Sequence, residues 1–116
     1  MGIEKTIQSY YKFVDEGDYK NMFSLFTDDI VYTRPGRKPL EGKEEFQTFY
    51  LEHRPIGESH HTVDTLYIDG DTAIVQGYFD GTLDGTPVSF GFADIHQFND
   101  DYLITRRWTY TDRGTV

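Results

Sequence analysis

The stretch "HHTVDTLYIDGDTAIVQGYFDGTLDGTPVSFGFADIHQFNDDYLITRRWTYTD", residues 60–112, decides the fold. It is rich in β-branched and aromatic residues and is cut at Asp69-Gly70, at Asp84-Gly85 and at Asn99-Asp100-Asp101. Asp-Gly pairs suit the tight turns of β-hairpins, where both central positions need positive φ. The stretch therefore predicts four strands that follow one another antiparallel. Inside it, "FGFADIHQF", residues 90–98, sets Asp94 and His96 two apart, on the same strand face as Phe90, Phe92 and Phe98. An ionised carboxylate on an apolar face is costly unless it is paired or stays protonated. Asp94 is a residue that needs a reason.

Upstream of this stretch the periodicity is helical. Ile3, Ile7, Tyr10, Tyr11 and Val14 form one stripe, so residues 3–16 read as an amphipathic helix that ends at Gly17. Asp18 can cap a second helix through Met22, Leu25 and Phe26. Ile30 to Arg34 reads as a short strand stopped by Pro35-Gly36, and Phe46, Phe49 and Tyr50 mark a third helix over about 43–53. The expected class is α+β: three N-terminal helices packed on the concave face of a strongly bent, mostly antiparallel sheet, a cone-shaped barrel with a pocket inside.

At 116 residues the chain fits one domain, residues 1–116. Twenty acids against eleven bases, net −9, argue against a nucleic-acid or anionic-membrane surface. No run approaches the roughly 20 apolar residues of a membrane span. The start "MGIEKT" reads as a plain helix start rather than an acylation signal, since Ile3 belongs to the apolar stripe. Cysteine is absent, which removes disulfide, thiolate and cysteine-zinc chemistry and fits a cytoplasmic protein. His60 and His61 are adjacent on a strand and point to opposite faces, so they cannot share one metal ion. Neither a metal nor another cofactor is expected.

The order of elements and several local words resemble the nuclear transport factor 2-like superfamily, with SnoaL-like polyketide cyclases and ketosteroid isomerases as the nearer branches. The words are "YYKFVDEGDYKNMFSLFTDDIVYTRPG", "LEGKEEFQTFY", "HHTVDTLYIDGDTAIVQGYF" and "DIHQFNDDYLITRRW". The resemblance implies that Tyr10 stands where the isomerases place an oxyanion-hole tyrosine, and Asp94 where they place a protonated aspartic acid. It also puts Arg34 in the place of their general base, and a guanidinium cannot take up a proton near neutral pH. The isomerase mechanism is therefore not expected. Epoxide hydrolases of this fold carry an Asp-Arg-Asp set whose last member falls at Thr109 here. Dehydratases of the fold use a histidine near the start of the first long strand, paired with an acid. His60 or His61 could stand there, with Asp94 or His96 as complement. SnoaL-like cyclases need an acid/base aspartate in the pocket, and Asp94 is the candidate.

On this reading Asp94, Tyr10 and His96 are the catalytic candidates, each with a plain alternative: a paired structural carboxylate, a packed tyrosine, a satisfied core histidine. Tyr32 and Phe92 would line the pocket. Alternation on the last strand sets Arg106, Trp108 and Tyr110 on one side and Arg107 and Thr109 on the other. By the isomerase likeness, with one residue less in the preceding turn, the first set faces inward with Arg34. The expected ligand is then an aromatic or polycyclic acid, its ring against Trp108 and its anionic group at Arg34 and Arg106. Two functions compete. One is a cofactor-free isomerase, cyclase or dehydratase. The other is a non-catalytic ligand-binding or oligomerisation domain whose own aromatics fill the cone. Pocket volume separates them, and the uncovered sheet face suggests a homodimer in either case.

Overall fold

The computed structural model describes residues 2–54 and 56–113, leaving aside the side chain of His53. Helix α1 (Ile3–Glu16) buries Ile7, Tyr10, Tyr11 and Val14 and stops at Gly17, whose φ of 74° is the left-handed conformation glycine adopts without strain. Helix α2 (Tyr19–Phe23) starts where the Asp18 carboxylate accepts the Asn21 N–H. It is shorter than the periodicity predicted. The Ser24 hydroxyl donates to the Asn21 carbonyl at 2.6 Å, the helix ends there, and Leu25 and Phe26 lie beyond it. Phe26 is instead buried at the head of strand β1 (Phe26–Thr33).

Strand β2 (Leu40–Glu41) is a two-residue pairing that the sequence reading did not foresee. Helix α3 (Lys43–Thr48) then runs into a π-helical turn, Phe49–His53. Together they span the single helix expected over 43–53, but the wider turn rotates Phe49 and Tyr50 toward the sheet, where both are buried. Strands β3 (Ile56–Asp69), β4 (Thr72–Leu83), β5 (Thr86–Phe98) and β6 (Ile104–Thr111) complete the fold.

The strands lie in the order β2-β1-β6-β5-β4-β3. β3 through β6 pair antiparallel in succession, and β1 joins β6 in parallel. The sheet is curled but open: β2 and β3 are its edges, so the barrel closure expected from the sequence does not occur. Its curl has a local cause. The β3–β4 register slips twice, between Ile56 and Ser59 and between Val63 and Thr65, and Gly81 and Gly77 stand opposite these slips. A Cβ on Gly77 would collide with the Thr62 carbonyl, and one on Gly81 with the Glu58 carbonyl and the edge of the Phe79 ring. Bulge and glycine together let two backbones approach and bend.

The core lies between α1, α3 and the concave face, where Phe26 and Phe46 meet with ring centres 4.5 Å apart. The convex face leaves Tyr67, Ile74, Tyr78 and Tyr110 exposed. No helix among the described residues is long and apolar enough to cross a membrane.

Gly77→Ala is therefore expected to lower stability by about 1–3 kcal/mol, the range for overpacking a tight site. Urea unfolding checks it, and an unchanged midpoint would mean that the close approach at Thr62 does not constrain the bend.

Candidate functional site

The helices and the concave face enclose a cavity of about 40 Å³. At 10–15 Å³ per water on this scale, it holds about three waters. Phe79, Phe90 and Phe92 line it from the sheet, and Phe49 and Tyr50 from the π-helical turn. Its polar groups are Arg34, Arg54, His61, Asp94, Arg107, Thr109 and Thr111, with Tyr32 and Tyr10 beside them.

Asp94 is 1% exposed and is the hub of the site. Its Oδ1 accepts the Thr109 hydroxyl at 2.7 Å, and its Oδ2 accepts Arg107 Nη2 at 2.8 Å and the Tyr11 hydroxyl at 2.5 Å. Burial alone would raise its pKa. The Arg107 charge and these hydrogen bonds outweigh that and hold it below the ordinary carboxylate value. Asp94 is an ionised acceptor, not the protonated donor that the isomerase likeness implied. Since Thr109 spends its one proton on Asp94, Tyr32 donates to Thr109, at 2.9 Å. Arg107 is itself flanked by the rings of Tyr10 and Tyr32, each 4.5 Å from its guanidinium carbon.

Tyr10 does not meet Asp94. Its hydroxyl pairs with that of Tyr50 at 2.8 Å, and Tyr11 takes the place beside the carboxylate. Neighbouring positions on a helix point in different directions, and the sequence does not say which of two adjacent tyrosines faces the sheet. His96 is fully buried and lies outside the cavity lining. It sits behind Tyr11, with Nε2 3.3 Å from the phenol oxygen. The single Tyr11 proton goes to Asp94, so His96 donates from Nε2 and its Nδ1 carries the lone pair, with no partner among the described residues. Burial, reinforced by the Arg107 charge, lowers its pKa to about 3.

A second, half-buried acid lies on the other side of Tyr11. Asp15, at the end of α1, accepts the His61 backbone N–H at 2.7 Å, His61 Nδ1 at 2.6 Å and the Ser59 hydroxyl at 2.6 Å. Burial works to raise the Asp15 pKa, but the His61 and Ser59 bonds outweigh it and keep the acid below the ordinary value. An ionised carboxylate only accepts, so His61 carries its proton on Nδ1 when neutral and presents the Nε2 lone pair. The imidazole packs against Tyr11, Phe79 and Phe92 with ring centres 5.2 to 5.3 Å apart and forms part of the cavity wall. Of the two histidines at 60 and 61, the inward one is thus His61, and its acid is neither Asp94 nor His96. The signal for Asp15 was its position one helical turn after Tyr11, on the same face.

Strand β6 corrects the largest error. Arg107 and Thr109 face inward, while Arg106 and Tyr110 are exposed and the half-buried Trp108 is outside the lining. Phe98 pairs with Ile104 but Gln97 pairs with Arg106, so Thr105 is an extra residue and reverses the alternation beyond it. Arg34 does line the cavity, with its guanidinium 4.1 Å over the Phe49 ring, and Phe92 and Tyr32 do as well. Arg54, which the sequence reading passed over, stacks 5.0 Å over Tyr50.

Residues 7–107 match the family model of the SnoaL-like domain. The chain belongs to the SnoaL-like domain family. The fold is shared with a nuclear transport factor 2-like protein of unknown function from Burkholderia pseudomallei: TM-score 0.85 and 18% identity over 94% of this chain and 89% of that one. It is also shared with an epoxide hydrolase from Mycobacterium tuberculosis, TM-score 0.80 and 16% identity over 94% and 81% of the two chains. A third similar structure is named a SnoaL-like polyketide cyclase, from Jannaschia sp. CCS1, with TM-score 0.77 and 16% identity over 95% and 87%. No curated protein sequence matches the chain.

The buried His96 makes a pH prediction. An unfolded histidine titrates near 6.5, and His96 in the folded chain at about 3. Between those values the unfolded chain binds a proton that the folded chain refuses. Stability is therefore fully present above about pH 6.5 and falls as pH drops toward 3, by up to about 1.4 kcal/mol per unit. His96→Asn should flatten the dependence of unfolding free energy between about pH 6 and about pH 5 by close to one proton. An unchanged slope would show that His96 is charged in the folded chain.

Proposed function

We propose that the chain is a cofactor-free acid/base enzyme of isomerase or dehydratase type that acts on a small molecule through His61. The observation that carries this reading is the 2.6 Å bond from His61 Nδ1 to Asp15 on the cavity wall. It fixes the tautomer, leaves the Nε2 lone pair free on a ring that lines the cavity, and sets a negative charge behind the imidazolium that would form. In the proposed step Nε2 takes a proton from a carbon next to a carbonyl, and the C–H electron pair passes into the conjugated system. The imidazolium then returns that proton, to another carbon in an isomerisation or to a departing hydroxyl in a dehydration. No oxidant or metal is required, and the base is regenerated. Ring closure, as the polyketide cyclase name of the Jannaschia neighbour suggests, can start from the same carbanion.

Asp94 has a supporting part in this proposal. Its lone pairs are engaged by Arg107, Thr109 and Tyr11, which suits a charged anchor more than a proton carrier. The aromatic or polycyclic ligand expected from the sequence is larger than the cavity, and a ring would require Phe49 and Tyr50 to move outward. That small volume favours the second reading, a non-catalytic domain whose aromatics fill the cone.

Proton abstraction is testable without a known substrate. In D₂O, the wild type should exchange the α-hydrogens of small keto acids and enones, followed by NMR. His61→Asn should slow exchange about 10²- to 10⁴-fold, the usual worth of a positioned base. Asp15→Asn should fall between the two. Exchange that is equal in wild type and His61→Asn would exclude the proposal.

The exposed convex face, with Tyr67 at 61%, Tyr78 at 56% and Tyr110 at 54%, supports a homodimer joined through it. Such an interface should bury at least roughly 1,000 Å². Sedimentation at tens of micromolar should give a dimer that Tyr78→Glu splits, whereas a wild-type monomer at that concentration would rule the dimer out.

A further inference from the structure

Arg34 is 9% exposed, yet it has no ion-pair partner among the described residues. Its Nε has no hydrogen-bond partner among the described residues, and its Nη2 reaches only the Lys38 carbonyl, at 3.4 Å. The three ion pairs found among the described residues are Lys43–Asp28, His61–Asp15 and Arg107–Asp94, so no carboxylate of the described residues lies within 4.0 Å of an Arg34 nitrogen. Glu45, which lines the groove on the outer side of Arg34, accepts the Glu41 backbone N–H at 2.9 Å instead. A buried guanidinium N–H without an acceptor is a large penalty for a fold to carry. It is one that a ligand can relieve.

The same imbalance holds for the whole cavity. Its lining carries the guanidinium groups of Arg34, Arg54 and Arg107 against the carboxylate of Asp94. Asp94 and Arg107 cancel as a pair. Arg34 and Arg54 are left, and Arg54 also has a nitrogen, Nη1, without a partner among the described residues. A protein of net −9 thus encloses an excess of positive charge. Phe49 holds the Arg34 plane from one face, which leaves the edge of the fork to make in-plane bonds.

We infer that the cavity is a site for a small carboxylic acid, its carboxylate on the unsatisfied edge of Arg34 with Arg54 as a second positive charge, presenting an acidic C–H to His61. The last part rests on the proposed role of His61, and the anion site does not. The planar fork suits carboxylate and phosphate alike, and a volume of about 40 Å³ favours the smaller carboxylate.

The test uses propionate, its neutral amide propionamide, and inorganic phosphate, titrated into the folded chain with chemical shifts as readout. Propionate should bind about tenfold or more tighter than propionamide, as expected for a hydrogen bond to a charged group. Arg34→Gln should abolish that preference. Arg34→Lys, which keeps the charge and loses the fork, should reduce it. Arg106→Gln, the same charge change at an exposed site, should leave it intact. His61→Asn should keep the preference while losing hydrogen exchange, so a failure of His61 as base and a failure of the anion site give different results. Equal binding of acid and amide, equal behaviour of Arg34→Gln and Arg106→Gln, or phosphate binding as tightly as propionate would each overturn the inference.

Discussion

The ion pair of Asp94 with Arg107 is the constraint around which the interior is organised. Both groups are almost wholly removed from water, at 1% and 3% exposure, and the attraction between two buried charges repays their desolvation only when the remaining donors and acceptors are also met. Here most of them are met, by groups from several elements around the cavity, while Arg107 Nε has no partner among the described residues. Tyr11 comes from α1, Thr109 from β6, Tyr50 from the π-helical turn and Tyr32 through Thr109 from β1. The faces of Tyr10 and Tyr32 cover the guanidinium. Removing either charge would strand the other in the same surroundings. The pair therefore does more to define how helices meet sheet than to add stability.

Beside it, Asp15 shows how a second acid in the same interior acquires a different character. Arg107 gives Asp94 a permanent countercharge. Asp15 faces a histidine, whose charge is optional. Tyr11 stands between the two systems, bonded to one and packed on the other. The SnoaL-like fold supplies the curled sheet that carries Asp94 and the helix that carries Asp15, and the chemistry depends on which partner each one meets.

Much of the fold was legible because its signals are local. The Asp84-Gly85 turn adopts the positive φ values, 50° and 82°, that its residues favour, and α1 ends at the glycine that permits a left-handed residue. The site was legible only in part. Asp94 and Phe92 stand at the cavity because the alternation along β5 runs unbroken up to Gln97, and Tyr32 and Arg34 reach it from the end of β1 and just beyond. Arg106, Trp108 and Tyr110 failed because the extra residue, Thr105, looks like any other strand residue and bulges only when paired with its neighbour. Tyr10 failed because two adjacent tyrosines on a half-buried helix offer the same periodicity. The cavity volume depends on how the aromatic rings settle against each other, which no spacing rule encodes.

The bulge at Thr105 gives β6 a dual character. Its eight residues hold two complete linings in alternate positions: a small polar set, Arg107 and Thr109, and a bulky set, Arg106, Trp108 and Tyr110. Only the phase set by one residue decides which of them the interior receives. A lineage that lost or gained a single residue near Thr105 would exchange an ion-paired floor for an indole and a phenol without changing any other letter of the strand. Divergence of ligand in such a fold can then proceed by shifts of frame along a strand as well as by substitution at a site.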